Sequence, residues 1–338
     1  MPELRIDPLT GLKTIVAGER AGRPGGGFSA EPPAPLDPDT DPFLEGHEDR
    51  TPPEVYALRE AESEPDTPGW KVRVVPNLYP ALSADGGRRT TDSLDDIDPL
   101  ASGRGEPGFF ASQPAEGAHE VIINSPKPVT SLRALSPEEV GTAMGVWRER
   151  MRAHSDSPYV HVIVNEGRDA GASLPHTHSQ LYALPFVPAA IARERERFTA
   201  YALRTHGRNL LADLLQEEVR LRERIAAIDD EAVAICPYAS QVPFEVQIVP
   251  RTPRASFQDE GALGAAMVHD VLGRFERVFG ALPPLNLWVR TAPSGAEYFC
   301  WRIDVLPRLT KLAGLEMGTG VNLNVMPPET AAEQLRGV

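Results

Sequence analysis

Two stretches of the chain repeat one another, and that repetition limits the folds open to it. HEVIINSPKPVTSL (119–132) and FEVQIVPRTPRASF (244–257) match in residue type and spacing. Downstream of each lies a second strand-like run, HTHSQLYALP (176–185) and CWRIDVLP (300–307). Glu120 precedes His178 by 58 residues, and Glu245 precedes Arg302 by 57. One strand–strand–helix–strand–strand unit present twice implies a duplicated fold rather than two unrelated cores. A chain of 338 residues, 41% hydrophobic, has apolar material for two such units.

The local signals fit that plan. WKVRVVPNLYPAL (70–82), HEVIINSP (119–126), YVHVIVNEG (159–167) and HSQLYALPF (178–186) read as strands. Ser136, with Glu139 three residues on, forms a capping box that starts a helix. A charged helical stretch runs from about 189 to 225, with a break at Gly207. The second half offers two strands in 232–251, a helix near 259–279, and strands in 284–293 and 297–307. Residues 21–42 and 83–118 are rich in Gly and Pro, and read as an extended arm and a long mobile insertion. The expected fold is α+β: two half-barrels of mainly antiparallel strands with packed helices, divided as 1–188 and 189–338.

Charge and cysteine content exclude several classes of function. The formal net charge of −14 opposes nonspecific nucleic-acid binding, so any phosphate site must be a local basic pocket. Cys236 and Cys300 belong to no Cys-x-x-Cys pair, which disfavours a disulfide framework or a cysteine zinc site. No apolar run approaches the roughly 18 residues of a membrane span, and residues 1–20 show no apolar leader. A cytoplasmic location without membrane partners is the expectation.

The sharpest local feature is GASLPHTHSQLYALPFVP (171–188). On a strand, His176, His178 and Gln180 share one face, while Thr177 and Ser179 point the other way. Two imidazoles and an amide on one face are poor core material. The pair could be half of a metal site, a structural pair satisfied by backbone, or a catalytic element, since a neutral imidazole is a nucleophile near pH 7. Gly171 and Ser173 upstream offer backbone N–H groups to an anion.

Eight stretches in order decide among these. DPLTG (7–11), GERAGRP (18–24), GHEDRTPPEV (46–55), VRVVPNLYPAL (72–82), HEVIINSP, NEGRDAGASLPHTHSQ (165–180), PFEVQIVP (243–250) and LPRLTKLAGLEMGTGVNLN (306–324) resemble the galactose-1-phosphate uridylyltransferases, members of the histidine-triad superfamily. HTHSQ is similar to that family's His-Pro-His-Gly-Gln signature. The resemblance implies double displacement. His178 attacks the α-phosphorus of UDP-glucose, and the uridylyl-histidine passes UMP to galactose 1-phosphate. It further implies that the carbonyl of His176 holds the Nδ1–H of His178 and that Gln180 donates to a phosphoryl oxygen. Arg20 and Arg23 contact phosphates, Asn77, Asn165, Gly171 and Ser173 bind the nucleotide, Glu316 contacts the sugar, and the chain forms a homodimer. Hydrolases of the superfamily carry a third histidine at the place of Gln180, and an amide cannot replace it as general acid or base.

The chain departs from the family pattern at its metals. The zinc-binding Cys-x-x-Cys falls on Asp41 and Leu44, and a third ligand falls on Pro128, leaving only His176. Leu and Pro cannot ligate zinc, so no metal or other cofactor is expected, with Asp41 and His47 at most a lesser site. The second-repeat His-x-His appears as Cys300 and Arg302, so no iron site and no second catalytic centre are expected. Two other functions stay open: a sugar-nucleotide phosphorylase or adenylyltransferase with the same nucleophile, and a nucleotide-binding regulator without turnover.

Overall fold

A computed structural model describes residues 1–22, 28–59, 63–83 and 114–338. Most of the 83–118 insertion therefore lies outside the described residues. Its ends are pinned together: Ser83 N–H donates to Ala115 O, and Gly117 N–H donates to Ser83 O. Gly117 has φ +139°, and a Cβ there would stand 2.1 Å from Ala183 O, so only glycine lets the chain pass here.

The chain is α+β. Ten strands form one antiparallel sheet: β3 (Tyr56–Arg59), β4 (Trp70–Pro76), β5 (Ala118–Ile123), β6 (Tyr159–Glu166), β7 (His178–Leu184), β8 (Ile225–Ile228), β9 (Ala232–Ile235), β10 (Val246–Pro250), β11 (Leu285–Arg290) and β12 (Arg302–Pro307). Their order, β3-β4-β5-β7-β6-β11-β12-β10-β9-β8, reads as a palindrome. Each half is one copy of the repeat, and the copies join edge to edge where β6 pairs with β11. Joining this way removes two exposed edges, which are otherwise sites of uncontrolled pairing. Strands β3 to β7 form one half of this continuous sheet and β8 to β12 the other.

Helix α1 (Pro137–Ala153) starts at the Ser136–Glu139 capping box, with both reciprocal hydrogen bonds formed. It lies with α4 (Ala265–Phe279) on one face of the sheet. Val140, Met144 and Trp147 of α1 and Val268, Leu272 and Phe275 of α4 meet Val72, Ile122, Leu181, Val246, Leu287 and Ile303 in one core. Each such large side chain contributes about 1.5–3 kcal/mol by leaving water.

The repeat alignment holds at one strand and slips at another. Ser179 and Ile303 both turn to the helix face, so His178 and Arg302 are equivalent, as are His176 and Cys300. Ile122 lies opposite Ser179, however, and Ile248 lies opposite Ile303. Glu120 therefore corresponds to Val246, not to Glu245. A shift of one residue turns every side chain to the other face: Glu120 meets Arg150 on α1, while Glu245 faces away from the helices.

The opposite face has two fates. Over the second repeat lies a hairpin of α2 (Ala189–Arg204) and α3 (Leu210–Leu221), broken near Gly207 as the sequence suggests. Phe198, Leu211 and Leu215 pack on Val233, Ile235 and Val249. Glu194 of α2 takes the Arg302 guanidinium in two bonds of 2.9 and 3.1 Å, and Asp304 takes its Nε at 2.8 Å. Arg302 is thus a structural cation sealed beneath α2. Over the first repeat the same face carries His178 and Gln180.

A smaller sheet escapes the sequence reading. β1 (Glu3–Ile6) and β2 (Lys13–Val16) form a hairpin, and β13 (Asn322–Asn324) adds parallel to β2. Arg5 and Thr14 bond to Tyr238 O and Ala239 O, so the first sixteen residues pack on the second repeat. Two further helices, α5 (Gly314–Thr319) and α6 (Pro328–Arg336), flank β13.

Glu194→Ala should destabilise the chain by about 3–5 kcal/mol, because it strands a buried guanidinium. Urea denaturation measures this, and an unchanged midpoint would contradict the account of Arg302.

Candidate active site

β7 alternates without interruption. Ser179, Leu181 and Ala183 are buried against the helices, and His178, Gln180 and Tyr182 take the other face. His178 is 5% exposed. Its Nδ1 lies 2.7 Å from the carbonyl oxygen of His176, which can only accept, so the proton sits on Nδ1. Nε2 keeps its lone pair. No hydrogen bond to it is seen among the described residues. Burial pushes the His178 pKa below its ordinary value; the bond to His176 O opposes this, and charge on His176 adds to it. The ring is a neutral imidazole at neutral pH.

His176 is held from both sides. Nδ1 faces Asp41 Oδ2 at 2.6 Å, and Nε2 faces Ser125 O at 2.8 Å. Ring and carboxylate form a buried hydrogen-bonded pair, with Asp41 5% and His176 1% exposed. Burial raises the Asp41 carboxyl, but the bonds from His176 and the Phe43 N–H, with the charge of His176, bring it below the ordinary range. His47 Nδ1 meets the Asp41 carbonyl at 2.7 Å. Phe43 sets its ring edge-on to both imidazoles, 6.2 Å from His176 and 5.2 Å from His178. Leu44 and Pro128 bring no donor atoms, and both nitrogens of His176 are spent, so these residues do not fit tetrahedral zinc.

The other site residues gather around this strand. Gln180 Oε1 accepts from Tyr182 OH at 3.0 Å and lies 2.9 Å from His119 Nε2. Asn77 bonds through its main chain to His119 O, and its Oδ1 accepts from Tyr79 N–H. Asn165 Oδ1 accepts from Asn286 Nδ2 at 2.8 Å, and the same Nδ2 donates to Ala170 O. Asn286 belongs to the second repeat, so each repeat helps to shape the 167–171 turn. Gly167 there has φ +83° and lies so close to Pro284 that a Cβ would stand 2.9 Å away, while Gly171 ends the turn at φ +89°. Gly171 and Ser173 are exposed beside it.

Two expected contacts are not among these hydrogen bonds, and a third, Arg23, lies outside the described residues. Arg20 is exposed in the 3-10 turn Gly18–Gly22. Glu316 is half-buried, and its carboxylate accepts from Ala313 N–H at 2.9 Å, capping α5. Conversely, Phe43, His119, Tyr182 and Asn286 belong to the site without having been singled out. His119 and Tyr182 carried a usable signal, since pairing β5 with β7 puts them directly opposite.

A sheet-borne imidazole with a main-chain acceptor on one nitrogen and an amide two residues on fits a nucleotidyltransferase of the histidine-triad superfamily. The chain belongs to the galactose-1-phosphate uridylyltransferase family: the family model "Galactose-1-phosphate uridyl transferase, N-terminal domain" matches residues 1–188. A model for a domain of unknown function, DUF4921, matches residues 140–336. ADP-glucose phosphorylase of Arabidopsis thaliana is 30% identical, covering 100% of this chain and 93% of its own length. A galactose-1-phosphate uridylyltransferase of Cryptococcus neoformans is 28% identical, covering 86% of this chain and 74% of its own. The crystal structure of the Arabidopsis ADP-glucose phosphorylase with bound ADP-glucose superposes with a TM-score of 0.80 at 26% identity, covering 100% and 99% of the two chains.

Asp41→Ala should cost about 1–3 kcal/mol, because it leaves the buried His176 Nδ1–H without its acceptor. Chemical denaturation reads this directly. An unchanged midpoint would mean that the bond does not anchor the ring.

Proposed function

We propose that the chain moves a nucleoside monophosphate from a sugar nucleotide to a phosphate-bearing acceptor through a phosphoramidate on His178 Nε2. The observation that carries this reading is the Nδ1–H···O=C bond to His176, which leaves Nε2 as the nucleophile. In the first step, the Nε2 lone pair attacks the α-phosphorus. The Nε2–P bond forms, the bond from phosphorus to the bridging oxygen breaks, and the sugar 1-phosphate leaves with that electron pair. The ring now carries positive charge, which the His176 carbonyl stabilises through Nδ1–H. In the second step, an acceptor phosphate oxygen attacks phosphorus, the N–P bond breaks, and neutral imidazole returns. Neither step needs a proton from the protein, because both departing and attacking groups are phosphate anions. Gln180 supplies a hydrogen bond to a phosphoryl oxygen as charge shifts.

The preferred donor is ADP-glucose, with inorganic phosphate as acceptor. Similarity to ADP-glucose phosphorylase along the full chain supports this choice. A second reading, UMP transfer between UDP-glucose and galactose 1-phosphate, is favoured by the family model over residues 1–188. Under either, the proposal assigns Arg20 and Arg23 to phosphate contacts across a homodimer, Asn77, Asn165, Gly171 and Ser173 to the nucleotide, and Glu316 to the sugar. It assigns no metal to the Asp41–His176 place, since that imidazole is already engaged at both nitrogens.

Incubation with sugar nucleotide radiolabelled in the α-phosphate should leave an acid-labile, base-stable label on His178. Release of ADP on adding phosphate supports the first reading, and transfer to galactose 1-phosphate supports the second. Label from neither donor, or label surviving His178→Gly, overturns the nucleophile. The rate of labelling should hold from neutral pH down through 6.5 and fall only below it, because the His178 pKa is lowered from its ordinary 6.5. An acid limb centred above 6.5 would show that the ring is not held neutral.

A further inference from the structure

We infer that His119 and Tyr182 are positioning residues of the transfer step: together they fix which way the Gln180 amide faces, so that its NH2 group is offered to the phosphoryl oxygens. This inference rests on His178 being the nucleophile and deepens that reading. Gln180 follows His178 by two residues on the same face of β7. Its role requires a donor aimed at phosphate, yet an amide can present either a donor or an acceptor by turning half a circle. Nothing in Gln180 itself selects one orientation.

The neighbours do. Ala81 N–H donates to His119 Nδ1 at 3.1 Å, so that nitrogen must carry a lone pair. The proton of the neutral ring is then on Nε2, 2.9 Å from Gln180 Oε1. Burial depresses the His119 pKa, partly offset by this bond to Gln180, so the ring stays neutral at neutral pH. Tyr182 OH donates to the same Oε1 at 3.0 Å, filling the carbonyl's second lone pair. His119 and Tyr182 stack at 4.2 Å with an interplanar angle of 22°, which holds the two donors side by side. Asn77 Nδ2 also lies 3.1 Å from His119 Nε2, but with the ring proton on Nε2 that approach is donor to donor and adds no hydrogen bond to Gln180, the Asn77 carbonyl being taken by Tyr79 N–H. Turning Gln180 over would set its NH2 against the His119 Nε2–H, donor to donor, and would leave the Tyr182 hydroxyl to accept where it now donates.

The chain of contacts begins at Ala81 N–H, in the loop that follows Asn77. The nucleotide-side loop thereby sets the tautomer of His119, His119 sets the amide of Gln180, and Gln180 meets the phosphoryl group. A substitution at His119 or Tyr182 therefore acts on the chemical step without touching the substrate.

The test is a double-mutant cycle on the full chain, using whichever sugar nucleotide labels His178. Tyr182→Phe keeps the stacked ring and removes one donor, and should slow labelling roughly tenfold with KM little changed. His119→Ala should slow it further, and His119→Gln, which restores an N–H near Nε2, should recover part of the loss. In a Gln180→Ala background, Tyr182→Phe should have no effect. Equal slowing by Tyr182→Phe in both backgrounds, or a change confined to KM, overturns the positioning role. Absence of label in the unmodified chain would instead overturn the nucleotidyl-transfer reading itself, so the two failures are distinguishable. If His119→Ala does not fold, the Tyr182→Phe and Gln180→Ala pair decides alone.

Discussion

The hydrogen bond between His178 Nδ1 and the carbonyl of His176 fixes the tautomer of the ring and leaves Nε2 as the atom on which the proposed transfer depends. Imidazole has two nitrogens, and a nucleophile must expose the one without a proton. A carbonyl cannot donate, so the tautomer is set by covalent geometry two residues away rather than by a titratable neighbour. That geometry is only as firm as the carbonyl's own position. The carbonyl is firm because the His176 side chain is anchored by Asp41 on one nitrogen and Ser125 O on the other, deep in the structure. Thr177 N–H, in the same peptide group as that carbonyl, bonds to Val129 O and holds the plane from its other side. The chain of support runs from a buried carboxylate–imidazole pair, through a backbone oxygen, to a lone pair on Nε2.

Where the family resemblance implies a zinc site, this chain sets a carboxylate against an imidazole. A metal joins several segments with bonds far stronger than hydrogen bonds. A buried carboxylate–imidazole pair joins fewer segments and brings a desolvation penalty that its bonds must offset. Here the penalty is met by extra partners: Phe43 N–H for Asp41 Oδ1, His47 for the Asp41 carbonyl, and the edge of the Phe43 ring for both imidazoles. The same residues that stabilise the pair therefore wall the nucleophile.

Much of this was legible in the sequence, and the failures have causes. Strict alternation in 178–184 gave the strand and its catalytic face, and the Ser136–Glu139 box gave the helix start. Matching Arg302 to His178 succeeded because both strands bury the next residue. Matching Glu245 to Glu120 failed because similarity of residue type carries no information about side when a bulge or loop length shifts the register by one. The β1–β2–β13 sheet was missed because its parallel partner lies some 300 residues away, and four-residue strands give too short a pattern to read. His119 and Asn286 look ordinary along the chain. They matter only because strand pairing carries them beside Gln180 and Asn165.

The duplication explains why one chain needs only one nucleophile. In the first repeat the face opposite the helices is packed by Phe43 and its neighbours rather than by a helical hairpin, and polar groups there bond to one another, with no hydrogen bond to Nε2 among the described residues. In the second repeat the equivalent face is closed by α2 and α3, and the residue in the place of His178 is an arginine locked to Glu194 and Asp304. A guanidinium is protonated at any ordinary pH and has no lone pair to offer, so that place cannot attack phosphorus even if uncovered. The second repeat serves instead as scaffold. Its strand β11 completes the sheet beside β6, and its Asn286 orients Asn165 and grips the turn at Ala170. Pairing an inert copy to an active one extends the sheet on which a nucleophile must be held still, and a reacting nitrogen misplaced by about 1 Å forfeits some hundredfold in rate. Rigidity at position 178 is thus a property of both repeats, although only one of them carries the chemistry.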